Sequence, residues 1–169
     1  MSERYRVVAG RIRQELMELE RVVDRAERAV TAAKRRPEDQ DLYLDSAALN
    51  LHDFYAGLER LFQQIAAVVD RSVPTGYEWH RDLLRQMSMA LTPVRPQVLS
   101  TKTSKALDEY LRFRHVVRNI YAFEFDPERI ERLVQQLQPA FEQLQAELLA
   151  FADFLTKLAE AIHQEQPDD

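Results

Sequence analysis

The sequence contains no cysteine and only three glycines among its 169 residues. The absence of cysteine excludes disulfide bonds, thiolate catalysis and zinc sites built from thiolates. So few glycines argue against a β-rich fold and against a glycine-rich phosphate-binding loop, and neither a Walker motif nor a dinucleotide fingerprint is present. Any chemistry must therefore come from other side chains.

Long apolar runs are also missing. No stretch approaches the length of a membrane-spanning helix, and the opening residues, MSERYRVVAGRIRQ, contain no apolar segment of signal-peptide length. The resulting expectation is a cytoplasmic protein without membrane association. The four histidines are scattered and no H-E-x-x-H pattern occurs, so we expect no metal site and no cofactor.

Helical periodicity dominates the sequence, because apolar residues recur every three or four positions through five segments. The predicted helices cover roughly 3–35, 39–71, 77–91, 101–124 and 127–164. Residues 164–169 form an acidic tail that we expect to be frayed. The prediction is one all-α domain over residues 1–169, an up-and-down bundle of four to five helices.

Local signals mark several helix boundaries. Asp126-Pro127-Glu128 combines a cap residue, a proline suited to the first helical position and an acid in the first turn. Ser100, Thr101 or Thr103 can cap the fourth helix. Pro139 is expected to kink the last helix or to remove one of its hydrogen bonds.

Residues 112–121, RFRHVVRNIY, are the most informative segment. Arg114, His115, Arg118 and Asn119 fall on one face of the predicted helix. Arginine binds phosphate through paired charge-assisted hydrogen bonds, and histidine exchanges protons near neutral pH. RNA supplies its own nucleophile, the 2′-hydroxyl, so a base, an acid and a cation suffice to cleave it without a metal.

The net charge of −5 gives no general indication of nucleic-acid binding, but its distribution is uneven. Eight basic and three acidic residues lie between Trp79 and Arg118, a local charge of +5 that favours an anionic ligand. The alternative is a solvated basic helix face that pairs with acids, as Arg112 can do with Asp108 or Glu109.

The stretch YLRFRHVVRNIYAFEFDPERI resembles the motif region of HepT-like proteins in the HEPN superfamily. LNLHDFYAGLERLFQQIA and parts of residues 79–99 resemble one branch of that family, so the resemblance covers most of 45–135. The family motif is arginine, four residues, histidine, one residue and tyrosine, often with a polar residue after the arginine. Arg114 and Tyr121 match it, whereas Asn119 occupies the histidine position and His115 the polar position.

The resemblance implies a HEPN-like, dimeric, metal-independent ribonuclease toxin. It also implies a minimal nucleotidyltransferase antitoxin as partner, which attaches AMP to the motif tyrosine, here Tyr121. Carried over by position, Arg114, His115 and Asn119 form the catalytic set, while further arginines, Arg112 and Arg118, bind the RNA phosphate. Because asparagine cannot act as a general base, His115 is the expected proton-transfer group.

Other interpretations remain open at this point. The chain can be a non-catalytic subunit that binds a nucleotidyltransferase or a nucleotide without cleaving RNA, or a helical interaction protein with no nucleic-acid role. Tyr121 can be a packed aromatic residue. His80, beside Trp79, can join the site, but packing or capping at a helix start is the favoured expectation. His52, next to Asp53, can orient a site residue, but a satisfied hydrogen bond within its helix is favoured. The apolar stripes of the first and last helices suit either a homodimer interface or an internal core.

Overall fold

The computed structural model describes residues 2–121 and 124–165, and in these ranges it contains five α-helices. They are α1 (Ser2–Arg35), α2 (Gln40–Ile65), α3 (Trp79–Met87), α4 (Thr101–Asn119) and α5 (Pro127–Glu165). A 3₁₀ turn, Pro37–Asp39, precedes α2, and a π-helical turn, Ala66–Asp70, follows it. The predicted all-α bundle is confirmed. In the part of the chain that the structure covers, no helix is both long and apolar enough to cross a membrane.

The three long helices, α1, α2 and α5, build most of the core. Helix α4 packs on α2 and α5, and the short helix α3 packs on α2 and α4. The apolar stripe of α1 is buried inside the single chain; Ile12 and Ala26, for example, are fully covered. At the crossing of α1 and α2, a Cβ on Gly57 would lie only 3.1 Å from Leu19 Cδ2, so glycine permits this close approach. The stripe therefore serves as core, and the homodimer remains a prediction.

Several predicted boundaries agree with the structure, and two do not. Helix α5 begins at Pro127 and continues unbroken through Pro139. Helix α4 ends at Asn119 rather than near 124, and Ile120 has an extended backbone. The Asn119 side chain donates to the carbonyl of His115 and so competes with the helix backbone near this end. Helix α3 is also shorter than predicted. The remainder of the predicted helical stretch, residues 122 and 123, and most of the expected frayed tail, 166–169, lie outside the described residues.

The start of α4 is fixed by a cap and by a carboxylate from α5. Of the three candidate caps, Ser100 is the one used, since its hydroxyl accepts from the Thr103 backbone N–H at 3.2 Å. Glu147 accepts from the Ser100 N–H at 3.0 Å and from the Thr103 hydroxyl at 2.9 Å. Burial alone would raise the pKa of the Glu147 carboxyl, but hydrogen bonds from Gln143, Ser100 and Thr103 outweigh it and lower the pKa.

The connection between α3 and α4, residues 88–100, is held by a buried ion pair. The side chains of Arg95 and Asp70 are both completely covered, and they meet through two bonds, Nε–Oδ1 at 2.5 Å and Nη2–Oδ2 at 2.8 Å. The remaining Arg95 donors reach the carbonyls of Met89, Pro96 and Gln86. All five guanidinium N–H groups are therefore used, which is the condition under which a buried charge is tolerated.

We predict that Arg95→Ala destabilises the protein by about 3–5 kcal/mol, because it leaves the buried Asp70 carboxylate without its cationic partner and with only the hydrogen bond from Gln86. The measurement is the free energy of unfolding in urea. The control is Arg85→Ala, which removes an exposed arginine 3.6 Å from Asp82 and should cost less than about 1 kcal/mol. Equal losses in the two variants would contradict the assignment.

The lowered pKa of Glu147 predicts a pH dependence of stability. A carboxyl with a lower pKa in the folded state stabilises the fold above its ordinary pKa, and this contribution is lost as the pH falls through the folded-state value. We expect Glu147→Gln to reduce the urea-unfolding free energy at neutral pH and the difference from wild type to shrink in acid. Glu142→Gln, an exposed residue of the same helix, is the control; a difference that persists unchanged in acid would refute the prediction.

Candidate functional site

A basic cleft lies between α3, the turn before it and α4. It encloses about 500 Å³, and nine of its ten lining residues have polar or charged side chains. The lining residues are Tyr77, Glu78, His80, Arg81, Leu111, Arg112, Arg114, His115, Arg118 and Asn119. A larger depression of about 740 Å³ near the start of α1 contains no histidine. The basic cleft therefore combines arginines with histidines, the side chains suited to binding phosphate and transferring protons, whereas the larger depression does not.

The short turn before α3 positions the mouth of the cleft. Gly76 has a φ of +102°, a conformation that side-chain-bearing residues rarely adopt, and it allows the chain to reverse before the helix begins. Tyr77, the next residue, is 99% exposed. Trp79 stacks on the imidazole of His80 with ring centroids 3.6 Å apart. The turn thus places Tyr77 in the lining of the cleft, together with the arginines of α4.

The floor of the cleft is organised by the carboxylate of Glu59, a residue of α2. Its side chain is only 6% exposed, and each of its oxygens contacts a different helix. Oε1 accepts from Arg114 Nη1 at 2.8 Å, and Oε2 lies 2.6 Å from His80 Nδ1. A buried carboxylate requires such compensation. One negative charge therefore fixes two of the cleft's functional groups.

These contacts determine which imidazole nitrogen of His80 carries a proton. A carboxylate oxygen at 2.6 Å accepts a hydrogen bond, so we assign the proton to Nδ1, which donates to Glu59. Arg114 Nη1 lies 3.3 Å from the same nitrogen. With the proton on Nδ1, both atoms are donors to the Glu59 carboxylate, so there is no hydrogen bond between them. In the neutral imidazole, Nε2 is consequently the nitrogen that can accept a proton.

Arg114 is less accessible than its place on the predicted basic face implies. Its side chain is 15% exposed, and its Nε is buried without a hydrogen-bond partner among the described residues. The nearby Tyr55 hydroxyl is likewise buried and unpartnered there; burial, reinforced by the Glu59 charge, raises the pKa of this phenol. The guanidinium therefore lies at the inner wall of the cleft, with its charge partly compensated by Glu59.

His115 and Asn119 lie side by side at the outer part of the cleft. Both are exposed, and Asn119 Nδ2 donates to the His115 backbone carbonyl at 2.6 Å and lies 3.4 Å from His115 Nδ1. The amide thus contacts both the helix backbone and the imidazole. This contact limits how His115 can rotate, and it directs one of the two amide N–H groups of Asn119 away from a ligand.

The other motif residues differ in their surroundings. Arg112 pairs with Asp108 at 2.7 Å, as the helical spacing predicts. Arg118 is exposed and forms no ion pair within the described ranges. Tyr121 lies beyond the end of α4 and is 72% exposed, so the alternative of a packed aromatic residue does not apply at this position.

The comparison with protein families identifies the chain. The family model described as HepT-like protein matches residues 46–155. The chain belongs to the HepT-like family. No curated protein and no solved structure matches it. The matched range runs from α2 into α5 of this HepT-like protein and includes Glu59, α3 and the whole of α4, so the entire cleft lies inside the family region.

Arg114 and His115, which share a face of the predicted helix, both line the cleft, and their catalytic roles stay predictions. Sequence reasoning did not single out Glu59, and it did not favour His80 as a site residue. Glu59 was overlooked, although it lies one helical turn after Tyr55 and nearly one turn before Phe62. Both of these residues belong to the buried apolar face of α2. An acid at a ladder position must find a buried partner, and that signal was available. Of the two interpretations of His80, the less favoured one agrees with the structure, since His80 lines the cleft and contacts Glu59. Sequence spacing did not indicate this contact, because it depends on tertiary packing.

His52 and Asp53 contact each other at 3.3 Å within α2 and do not line the cleft. In the part of the chain that the structure describes, no group of three or more histidines and carboxylates converges in a way that could hold a metal ion.

Proposed function

We propose that this HepT-like protein is a ribonuclease toxin that cleaves RNA without a metal and is neutralised by a nucleotidyltransferase antitoxin. The observation that carries the proposal is the convergence of Arg114, His115, Arg118 and Asn119 in one cleft. A phosphodiester with an adjacent 2′-hydroxyl needs only such groups, because it contains its own nucleophile.

The proposed roles follow from where each side chain lies. Arg118, exposed at the cleft, binds the phosphate together with Arg112, and Asn119 positions a phosphate oxygen through its remaining N–H. Arg114, at the inner wall, stabilises the charge that develops on the pentacoordinate phosphorus. His115 transfers a proton, and cleavage leaves a 2′,3′-cyclic phosphate and a 5′-hydroxyl.

A second candidate function is supported by the same geometry. Arg114 is engaged with Glu59, and Asn119 replaces the motif histidine and bonds to its own helix. Both features suit a non-catalytic subunit that binds a nucleotide or a nucleotidyltransferase without cleaving RNA. The two candidates differ in one measurable property, which is cleavage by the unmodified protein.

We predict that the purified, unmodified protein cleaves RNA in the presence of EDTA and that His115→Ala slows cleavage by about 10²–10⁴-fold, because a proton-transfer group is lost. The measurement is the single-turnover cleavage rate of total RNA and tRNA, with end-group analysis for the cyclic phosphate. His163→Ala, at an exposed histidine near the end of α5, is the matched control and should cleave like wild type.

The other outcomes of this experiment are equally informative. Cleavage that requires an added metal would refute the metal-free mechanism. RNA binding without any cleavage by wild type would refute the ribonuclease and favour the binding subunit. Arg114→Lys is preferred to Arg114→Ala as a further variant, since it retains a cation beside the buried Glu59 carboxylate.

The proposal includes a homodimer and an antitoxin that transfers AMP from ATP to Tyr121. The phenol oxygen forms a bond to the α-phosphorus of ATP, pyrophosphate leaves and the phenol proton is released to solvent. The tyrosine lies past the end of α4 and is largely exposed, so a transferase can reach its hydroxyl without unwinding the helix. An added adenylate carries negative charge close to the cleft that is proposed to bind RNA. Repulsion of the RNA phosphate would then suppress cleavage.

We therefore predict that incubation with a minimal nucleotidyltransferase and ATP adds one adenylate group to each wild-type chain and none to the Tyr121→Phe variant. The measurement is intact mass followed by fragmentation to locate the site. Tyr77→Phe is the matched control, because Tyr77 is even more exposed and should not be the target. Modification retained in Tyr121→Phe would place the acceptor elsewhere.

A further inference from the structure

RNA cleavage with an internal nucleophile needs two proton transfers, and the motif provides one histidine. A base must remove the proton of the 2′-hydroxyl, and an acid must protonate the departing 5′-oxygen. Asn119, at the motif position, can do neither near neutral pH. The structure brings a second histidine, His80 of α3, into the same cleft as His115.

His80 has the features of an oriented base. Its Nδ1 is bound to the buried carboxylate of Glu59 at 2.6 Å, which leaves Nε2 as the proton acceptor. Its side chain is 28% exposed, so the ring is held by its surroundings but remains accessible from the cleft. A carboxylate on one imidazole nitrogen fixes the tautomer and orients the other nitrogen toward its substrate.

The second ion pair of Glu59 supports this arrangement. Arg114 contacts the other carboxylate oxygen at 2.8 Å, so the carboxylate cannot rotate away from His80 without breaking that bond. Trp79 stacks against the same imidazole and restricts its tilt. His80 is therefore fixed by contacts from α2, α4 and its own helix.

We propose that His80 is the general base of the ribonuclease site, oriented by Glu59, and that it takes the place of the missing motif histidine. This inference rests on the proposed function. His80 Nε2 removes the 2′-hydroxyl proton as the 2′-oxygen forms its bond to phosphorus. The bond from phosphorus to the 5′-oxygen breaks, and that oxygen takes a proton from the His115 imidazolium.

The products are a 2′,3′-cyclic phosphate and a 5′-hydroxyl, and the proton gained by His80 balances the one given by His115. Proton exchange with water then restores both histidines. Glu59 is a positioning residue in this scheme, because it touches His80 and Arg114 rather than the RNA.

Two substrates separate the base from the acid. One is an ordinary RNA oligonucleotide, and the other has sulfur in place of the 5′-bridging oxygen at the cleavage site, so its leaving group departs without a proton. We expect His80→Gln to slow both substrates by about 10²–10⁴-fold. His115→Ala should slow the ordinary RNA to a similar extent but approach wild type on the sulfur substrate.

Glutamine is chosen because its amide keeps a hydrogen-bond donor for the buried Glu59 carboxylate. Binding of a 2′-deoxy oligonucleotide, which cannot be cleaved, tests whether the cleft of the variant is intact. Binding by His80→Gln should stay within about twofold of wild type, which assigns the loss to the chemical step. His52→Gln is the matched control, since this histidine also touches a carboxylate but lies outside the cleft. It should cleave both substrates like wild type.

The tautomer of His80 is measured independently by ¹⁵N NMR of the imidazoles, with His80→Gln to assign the signal. A neutral ring protonated at Nδ1 is expected. A ring protonated at Nε2 would overturn the inference whatever the activity.

The kinetic outcomes distinguish failure of the base assignment from failure of the proposed function. If wild type cleaves RNA and His80→Gln cleaves both substrates equally well, the base assignment fails and the ribonuclease stands. Recovery of His80→Gln on the sulfur substrate would make His80 the acid, and would also overturn the inference. If wild type cleaves neither substrate, the proposed function fails and the base assignment falls with it.

Discussion

The arrangement of the cleft depends on one buried carboxylate. Glu59 enters the core on α2, where an uncompensated charge would be strongly unfavourable. Its compensation comes from two other helices, His80 on α3 and Arg114 on α4. The need to neutralise one charge therefore fixes the relative positions of three helices, and the same contacts orient the groups proposed to act on RNA.

A second buried charge stabilises the segment between those helices. Residues 88–100 contain no regular helix, and a connection of that length would ordinarily be mobile. Arg95 holds this segment, because all of its guanidinium N–H groups bond to Asp70 or to nearby carbonyls. Glu147 holds the start of α4 by accepting from the Ser100 N–H. The end of α3 and the start of α4 are thus both held in place. The distance between these two helices sets the width of the cleft.

Much of the fold was predictable because it depends on local pattern. Five periodic segments predicted five helices, and the signals at Ser100 and Pro127 marked the starts of two of them. The end of α4 was missed because it depends on a side-chain contact of Asn119 with its own helix. Helical spacing placed the motif residues on one face but gave no information on depth, so it did not separate the enclosed Arg114 from the exposed Arg118.

The remaining parts of the site could not be predicted from sequence spacing. Glu59 and Arg114 are separated by 55 residues, and His80 lies between them on a third helix. Nothing in local periodicity specifies which faces of α2, α3 and α4 meet. The acid on the buried face of α2 was the available signal, since it required a cationic partner somewhere in the chain.

The π-helical turn at the end of α2 affects the directions in which the two buried acids of this segment, Glu59 and Asp70, point. These directions depend on the number of residues between the two acids as well as on their identity. Each π turn contains more residues than the roughly 3.6 of an α-helical turn, so residues beyond it point in a different direction than a regular helix would give. Glu59 lies before the turn and Asp70 ends it, and each must face its own arginine. A single insertion or deletion between these two acids would therefore rotate one of them by about 100° away from its partner. Among related chains, this stretch of α2 should accept substitutions far more readily than changes in length.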